Sequence, residues 1–343
     1  MGVQIGDLVT RKTISLQALT GRSVAIDAHN TLYQFLSIIR SFDGRPLMDR
    51  AGHVTSHLSG LLYRTSNLVE IGIKPVYVFD GQPPQLKTVE LTHRLQAKAA
   101  ATKKYRAALK KGRLEEARRY AQATSRVNQS MVEDAQRLLT LLGIPWLQAP
   151  SEGEAQTAYM AASGTVWAAA SQDYDALLFG ASRLVRNITI TGRRKLPRKK
   201  TYIEVEPELV LLNQVLQELE IGREQLVTLA ILVGTDFNPK GIKGVGPKTA
   251  LALVKQHPTF DEAVAQFDAS SFPADPQRIR DIFLKPAVTS DYTLSWNTPD
   301  VEGTIAFLCG ERDFSETRVR KTMDKMEAAV KKRAGKTALE AWF

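Results

Sequence analysis

The chain of 343 residues contains one cysteine, Cys309, which excludes an internal disulfide framework and any zinc site built from several cysteines. The N-terminus lacks a basic segment followed by an apolar stretch, so we expect no secretion signal and a cytoplasmic location. No long apolar run indicates a membrane partner either. The uncharged stretch 155–172 is interrupted by Ser163 and Gly164, and it predicts a helix followed by a strand.

Acidic residues are scarce in two segments of this chain, whose net charge is +10. Residues 82–130 hold twelve Lys and Arg against three Glu, and residues 183–200 hold eight Lys and Arg and no acid. Solvated faces usually mix both signs, whereas one-sided basic blocks favour a polyanionic partner, of which nucleic acid is the commonest. The charge distribution therefore predicts nucleic-acid binding.

Short apolar runs alternate with helical patterns in the first half of the chain. The runs at 23–30, 74–81 and 165–173 each contain an aspartate at or near their end. Between the first two, residues 57–72 have leucines at helical spacing and stop at a glycine. This alternation predicts an α/β fold with a mostly parallel sheet flanked by helices.

Residues 85–130 break that alternation. They have a helical composition dominated by Ala, Lys and Arg, with little apolar periodicity, and they predict an exposed helical insertion. Directly after it, Ser130 and Glu133 have the spacing of a capping box, which predicts a helix that ends at Gly143. A charged helix is predicted near the end of the chain, over 311–335.

A glycine-rich turn at 241–246 lies between two apolar helical patterns within 223–256. The proline that follows suits a first helical turn, and the glycines allow backbone N–H groups to face outward, where they bind phosphate without reading base sequence. The order Gly-x-Gly-Pro-Lys, with Gly244, Gly246 and Lys248, favours a helix–hairpin–helix clamp on the DNA backbone over a plain tight turn.

Carboxylates lie at the ends of several apolar elements. They are Asp27, Asp80, Glu152, Glu154, Asp173, Asp175 and Asp236. Ligands of open α/β sheets collect at the carboxyl ends of the strands, so we expect these side chains to share one site. Asp173 and Asp175 point the same way if the segment is extended.

Single members of this set also have simpler explanations. Glu154 fits a capping box with Ser151, Asp27 and Asp80 fit helix N-caps, and Asp236 fits a turn residue. Asp173 and Asp175 are the hardest to explain in this way, because their neighbours are apolar, and the simpler explanations are not convincing for all seven residues at once. Seven carboxylates in one cleft would repel each other. At about 4 Å each pair costs about 4 kcal/mol at an effective dielectric near 20.

Hard divalent cations relieve such repulsion. Mg²⁺ and Mn²⁺ prefer oxygen ligands, and two such ions suit phosphodiester hydrolysis, in which one activates water and both stabilise the displacement. The sequence therefore predicts two Mg²⁺ ions, for which Mn²⁺ can substitute. The basic blocks are expected to hold the polyanionic substrate.

Several stretches together resemble the flap endonucleases of the XPG family, in their short archaeal form. These stretches are MGVQ, AIDAHNTLYQFL, YVFDGQPPQLK, APSEGEAQ, SQDYDALLFG, GTDFN, GIKGVGPKTAL and LEAWF, in family order over nearly the whole chain. The resemblance implies a PIN-like α/β nuclease core, a helical arch and a helix–two-turn–helix module. The implied divisions are 1–98 and 131–260 for the core, including the hairpin at 223–256, 85–130 for the arch, 261–334 for a C-terminal helical region and 335–343 for a tail.

The resemblance also implies roles for individual residues. The seven carboxylates become the ligands of two metal ions, with Asp173 also counted as catalytic, and Lys87 and Arg94 at the base of the arch contact the scissile phosphate diester. Tyr33 stacks on a base near the cleavage site. The further DNA-binding positions are Arg40, Arg64, Glu152, Gly234, Asp236, Gly244, Gly246 and Lys248. A monovalent cation is expected near the hairpin.

The C-terminal tail, KTALEAWF, resembles a motif that binds the sliding clamp PCNA. Leu339, Trp342 and Phe343 have i, i+3, i+4 spacing and form one apolar face on a helical turn. Lys336 stands where the motif begins with glutamine. The alternative is a helix end that packs on its own domain.

These patterns predict a monomeric, Mg²⁺-dependent 5′ flap endonuclease with 5′→3′ exonuclease activity. Its substrate is expected to be branched DNA in Okazaki fragment maturation and DNA repair. One alternative is a related 5′→3′ exonuclease or a nuclease for bubbles and junctions. Others are a non-catalytic clamp-bound DNA adaptor and a metal-dependent phosphatase for small molecules.

Overall fold

The strands were located in a computed structural model that describes residues 2–41, 43–113, 116–117, 120, 124–190, 192–195 and 202–340. They are β1 (Lys12–Thr13), β2 (Ser23–Asp27), β3 (Lys74–Phe79), β4 (Trp146–Gln148), β5 (Ala168–Ala170), β6 (Arg183–Arg186), β7 (Gly192–Lys195), β8 (Tyr202–Val205) and β9 (Glu208–Leu211). In the described residues, a seven-stranded sheet has the order β1-β9-β6-β5-β2-β3-β4, and β7 pairs with β8 in a separate ribbon.

The centre of the main sheet is parallel, as the alternating pattern predicts. β2 pairs in parallel with β3 and β5, β3 with β4, and β5 with β6. β9 runs antiparallel to β6, and β1 antiparallel to β9. The carboxyl ends of the five parallel strands therefore lie at one edge, where Asp27 ends β2 and Asp80 follows β3.

Helices account for most of the remaining described residues. They are α1 (Ala28–Ile38), α2 (Ser56–Ile71), α3 (Thr88–Lys110), α4 (Gln129–Leu141), α5 (Gly153–Ala162), α6 (Asp175–Leu178), α7 (Leu212–Leu219), α8 (Arg223–Val233), α9 (Pro247–Gln256), α10 (Phe260–Val264), α11 (Pro276–Leu284), α12 (Val301–Ile305) and α13 (Glu316–Glu340). None of the helices in this part of the chain is long and apolar enough to cross a lipid bilayer.

The two faces of the sheet bury separate hydrophobic clusters. Along β2, Val24 and Ile26 join the cluster that contains α1, α2, α4 and α13, whereas Ala25 joins the cluster that contains α5 and α8. This division follows from the period of two residues in a strand, which sends neighbouring side chains to opposite faces. Strands covered on both faces need continuous apolar sequence, and this explains the short apolar runs.

Most predicted helix ends agree with the structure, but one start is wrong. α2 ends before Gly72, which has a φ of 94° and permits the left-handed termination. α4 begins at Gln129 rather than after a Ser130 cap. Asn128 is the N-cap instead, and its side chain accepts a hydrogen bond from the Met131 N–H at 2.9 Å. Asparagine is among the best N-cap residues.

The predicted insertion contains the long helix α3, so the prediction of helical structure is confirmed for Thr88–Lys110. The predicted terminal helix is also present, but it begins at Glu316 rather than at residue 311. Residue 311 is instead the last residue of a π-helical turn, Ala306–Glu311. An extended segment precedes α12, and in it Trp296 donates its Nε1–H to the Pro75 carbonyl at 2.8 Å. This contact fastens the C-terminal region to the start of β3.

A buried histidine in α2 makes stability depend on pH. His57 is fully buried, and neither ring nitrogen has a hydrogen-bond partner. Burial lowers its pKa from 6.5 to about 4; nearby Asp134 opposes the shift and Arg312 adds to it. Between pH 6.5 and 4 the unfolded chain binds this proton and the native chain does not, so stability falls as pH falls through this window.

We expect His57 to remove about 3 kcal/mol from the free energy of unfolding when the pH drops from 7 to 4. In a His57→Leu variant, which cannot bind the proton, that part of the decline should disappear. Urea denaturation at half-unit pH intervals measures it. Parallel stability curves for the two proteins would show that the histidine is not responsible.

Candidate active site

The seven predicted carboxylates lie at the carboxyl edge of the sheet or in the turns beside it. Asp27 ends β2, Asp80 follows β3, Glu152 and Glu154 flank the start of α5, Asp173 follows β5, Asp175 begins α6, and Asp236 follows α8. They come from five separate places in the chain, so the site is assembled by the fold rather than by any single motif.

Electrostatic coupling shows that these carboxylates share one cleft. Burial and then the charge of Asp80 raise the pKa of Asp27 to about 8. Burial and then Asp236 raise the pKa of Asp175 to about 7. For Glu154, burial and Asp175 raise the pKa well above its usual value. These three carboxylates are therefore held near others of the same charge, and this proximity disfavours their ionisation.

The N-terminal segment holds two of these carboxylates in place. The Gly2 N–H donates to Asp173 Oδ1 at 3.2 Å, and the Val3 N–H donates to Asp175 Oδ1 at 2.7 Å. A methyl group added at Gly2 would meet Asp173 Cβ at 2.7 Å, so the approach requires glycine. The sequence contains no periodicity that predicts this contact.

Helix starts hold three further carboxylates. Asp27 caps α1, because its Oδ1 accepts from the Asn30 N–H at 2.9 Å. Asp80 Oδ1 accepts from the first N–H of α5, that of Gly153, at 2.7 Å. Glu154 Oε1 accepts from the Ala176 N–H in α6 at 3.2 Å. Backbone donors fix these oxygens without adding a full positive charge.

Two expectations about the carboxylates are wrong in detail. Asp173 and Asp175 do not lie on one extended segment, since β5 ends at Ala170 and Asp175 already begins α6. A turn brings them together, and each is held separately by the N-terminal segment. Glu154 does not complete a capping box, because its carboxylate contacts α6 instead of the start of its own helix.

The cleft also contains a buried cation. Lys87 ends the 3₁₀ turn Gln85–Lys87 and forms an ion pair with Glu152. Burial lowers the pKa of Lys87, but the charge of Glu152 and the hydrogen bond to it outweigh burial, so the pKa is raised overall and the ammonium stays charged. Arg94 lies in α3, but its side chain is outside the described residues.

Tyr33 lies on α1, and Arg40 lies just after the end of this helix. Tyr33 is 39% exposed, and Lys98 Nζ of α3 lies 5.5 Å from the centre of its ring. Arg40 donates to the Gly44 carbonyl and to Ser125 Oγ, both at 2.8 Å. The Arg40 guanidinium thus joins the loop after α1 to the C-terminal part of the insertion. Arg64 is exposed on α2.

The turn between α8 and α9 is tightly packed on one side and open on the other. Gly234 and Gly241 approach so closely that a methyl group at Gly234 would meet the Gly241 nitrogen at 2.6 Å. Gly244 has a φ of 85°, and open space surrounds both it and Gly246, which caps α9. A hollow of about 590 Å³ lies beside this turn. Lys248 is exposed in the first turn of α9.

The same hairpin carries Asp236. Asn238, fully buried, accepts from the Thr235 N–H at 3.0 Å and donates Nδ2–H to the Ile231 carbonyl at 2.7 Å. These bonds fix the turn that contains Asp236. The hairpin therefore contributes one carboxylate, Asp236, to the cleft. Leu339 lies in α13, its side chain outside the described residues, and Trp342 and Phe343 lie beyond them.

Three groups next to the cleft were not predicted from the sequence. Asn30 Nδ2 donates to Asp173 Oδ2 at 3.0 Å, and Gln34 Nε2 donates to Asn30 Oδ1 at 2.6 Å. Behind the turn with Asp173, Arg186 packs on the Tyr174 ring and donates to its hydroxyl at 2.8 Å. The i, i+4 spacing of Asn30 and Gln34 is the one signal that sequence reasoning could have used.

The donor chemistry of the cleft fits divalent cations of the Mg²⁺ type. In the described residues no three His, Cys, Asp or Glu side chains converge closely enough to hold an ion by themselves. Mg²⁺ keeps several waters and takes only one or two carboxylates together with substrate phosphates, so a spaced set of oxygen ligands suits it. The raised pKa values of Asp27 and Asp175 mark a local deficit of positive charge.

Comparisons with known proteins place the chain among nucleases. Residues 2–101 match the XPG N-terminal domain, and residues 143–236 match the XPG I-region. The chain is 57% identical to flap endonuclease 1 of Pyrococcus furiosus over 344 residues, covering 100% of this chain and 99% of the relative. It is 52% identical to flap endonuclease 1 of Hyperthermus butylicus over 348 residues, covering 100% and 99%.

Solved structures agree with these sequence matches. Flap endonuclease-1 from Methanococcus jannaschii superimposes with a TM-score of 0.77 at 44% identity, covering 97% of this chain and 100% of the other. The catalytic core of Rad2 in complex with a DNA substrate superimposes with a TM-score of 0.69 at 22% identity, covering 95% and 100%, and shares the fold.

The mutual repulsion of the carboxylates predicts that neutralising one stabilises the metal-free protein. Asp175→Asn keeps an oxygen that can accept from the Val3 N–H but removes a buried charge. The native pKa of Asp175 is about 7 against 3.8 unfolded, so the native state binds the extra proton between these values and its stability falls as pH rises through the window.

In EDTA at pH 8 we therefore expect Asp175→Asn to unfold at a higher temperature than the wild type, with a gain of up to about 4 kcal/mol. At pH 4 the two proteins should melt together, because the wild-type carboxyl is then protonated. Calorimetry at both pH values measures this. An equal or lower melting temperature of the variant at pH 8 would contradict the repulsion argument.

Proposed function

Because the chain belongs to the XPG family, and matches its flap endonuclease 1 members along its whole length, it is a structure-specific flap endonuclease, and we propose that it hydrolyses DNA phosphodiesters at 5′ flaps with two Mg²⁺ ions, which Mn²⁺ can replace. We further propose that it has 5′→3′ exonuclease activity and acts in Okazaki fragment maturation and DNA repair. One observation supports the metal proposal: the cleft brings several carboxylates together, and burial with their mutual repulsion raises the pKa of Asp27, Glu154 and Asp175.

Two divalent cations bound here would supply an activated water and offset the charge of the in-line displacement. The seven carboxylates hold those cations. Lys87, kept charged by Glu152, lies where it can offset negative charge that develops on the phosphate. Arg94 is assigned the same role by its match to the family motif. The backbone donors on Asp80 and Asp173 keep these carboxylates oriented.

The proposed DNA path uses groups on both sides of the cleft. The hairpin with Gly234, Gly244 and Gly246 offers backbone N–H groups to the duplex, with Lys248 next to them. The match to the family motif also assigns a monovalent cation near this hairpin. On the other side, the exposed ring of Tyr33 can stack on a base next to the cut. Arg40 and Arg64 are proposed to contact the backbone.

We expect Asp173→Ala to reduce single-turnover cleavage of a labelled 5′ flap by more than roughly 10³-fold, because a cation ligand is lost. Flap binding, measured in EDTA, should change little. The exposed Asp291 offers a matched control, and Asp291→Ala should cleave like the wild type. Product lengths on flap, nicked and bubble DNA separate a flap endonuclease from an exonuclease or a junction enzyme.

Full activity of Asp173→Ala would overturn the metal-site assignment. Cleavage by the wild type that survives EDTA would overturn the metal dependence. An absence of any cleavage by the wild type, together with tight flap binding, would favour the alternative of a non-catalytic DNA adaptor.

We also propose that the tail 336–343 binds a sliding clamp of the PCNA type. The support is the spacing of Leu339, Trp342 and Phe343, which places three apolar side chains on one helical turn. Lys336 in place of glutamine alters the polar part of the contact. The enzyme itself is proposed to act as a monomer.

Removal of residues 336–343 should weaken clamp binding by about 30-fold or more, the effect of losing a cluster of buried aromatic anchors. Cleavage of a flap without the clamp should stay within about twofold, since the cleft lies elsewhere. Surface plasmon resonance on immobilised clamp measures the first and a gel assay the second. A lower melting temperature with unchanged clamp binding would support packing of the tail on its own domain.

A further inference from the structure

One residue of α1 contacts two carboxylates that lie at or after the ends of neighbouring strands. The backbone N–H of Asn30 donates to Asp27 Oδ1 at 2.9 Å, and its side-chain Nδ2 donates to Asp173 Oδ2 at 3.0 Å. Asp27 ends β2, and Asp173 follows the neighbouring strand β5. Asn30 therefore sets the relative position of two members of the carboxylate cluster.

The direction of the Asn30 amide is determined by its neighbours. An ionised carboxylate only accepts hydrogen bonds, so Nδ2 must face Asp173 and Oδ1 must face away. Gln34, one helical turn further along α1, donates its Nε2–H to Asn30 Oδ1 at 2.6 Å. Its own Oε1 then accepts from the hydroxyl of Thr189 at 3.3 Å. All three hydrogen bonds point toward Asp173.

Thr189 is the first donor in this series of three hydrogen bonds. It is 3% exposed and lies between β6 and the first strand of the ribbon, β7. A narrow gap between α1 and the segments after β5 and β6 is lined by Asn30, Gln34 and Thr189. The three hydrogen bonds therefore connect the segment that precedes β7 to Asp173.

We propose that Asn30 is a positioning residue for the cation site, and that Gln34 and Thr189 fix the direction of its amide. This inference rests on the proposed function. Asp173 follows β5 in a turn and shares the cleft with other negative charges, and the amide holds one of its oxygens without bringing a cation of its own. Partners of this kind orient metal ligands, and their loss typically weakens metal binding.

Three substitutions separate positioning from packing. Asn30→Leu keeps the branching at Cγ and removes the donor. Gln34→Met keeps the length of the side chain and removes the donor to Asn30. Gln34→Glu introduces a group that only accepts, so the Asn30 amide must turn its Nδ2 toward residue 34 and present oxygen to Asp173.

The probe is Mn²⁺ alone, titrated calorimetrically into the DNA-free protein. We expect Asn30→Leu and Gln34→Glu to weaken Mn²⁺ binding roughly 10- to 100-fold, and Gln34→Met to weaken it less. The Mg²⁺ concentration that gives half-maximal cleavage should rise by a similar factor, while the Kd for flap DNA in EDTA stays unchanged. The exposed Gln214 in α7 provides the controls, Gln214→Met and Gln214→Glu.

Wild-type Mn²⁺ affinity in Asn30→Leu and Gln34→Glu would overturn the inference. So would an equal effect of Gln34→Met and Gln34→Glu, since amide direction would then not matter. If Asn30→Leu fails to fold, the two Gln34 variants decide the matter. Failure of the proposed function looks different, because Asp173→Ala would then retain cleavage whatever Asn30 does.

Discussion

The structure depends on keeping seven carboxylates together in a cleft where they repel each other. Burial raises the pKa of Asp27 and Asp175 because water cannot screen them and their neighbours have the same charge. A group of this kind destabilises the fold at neutral pH. Hydrophobic burial on both faces of the parallel sheet offsets this destabilisation. The ends of the parallel strands bring the carboxylates to one edge of the sheet.

The protein orients these carboxylates mainly with neutral donors. Backbone N–H groups hold oxygens of Asp173, Asp175 and Asp80, and the Asn30 amide holds another oxygen of Asp173. A neutral donor fixes a carboxylate but adds no positive charge, so the cleft keeps its acidic character. Lys87 is different, because it neutralises Glu152 at one side of the cleft, below the helical insertion.

The sequence predicts the parts of this site that depend on local periodicity. Asp27 and Asp80 could be placed at strand ends, because apolar runs of strand length precede them. The turn after β5 could not be predicted, since the strand ends three residues before Asp173. Nor could the contact of Gly2 with Asp173, which joins residues 171 positions apart and leaves no trace in local spacing. Long-range donors of this kind are specified only by the folded chain.

The hairpin and the cleft are linked through Asp236, and this link constrains the distance between the two. Asp236 contributes to the charge felt by Asp175, so it belongs to the cleft. It also lies in the turn fixed by the buried side chains of Thr235 and Asn238, from which the glycines of the hairpin continue. In the proposed function, a duplex held by the hairpin N–H groups would lie at a distance from the carboxylates that this turn sets. Contacts to the DNA backbone carry no base sequence, so this distance would select the phosphodiester that reaches the cleft.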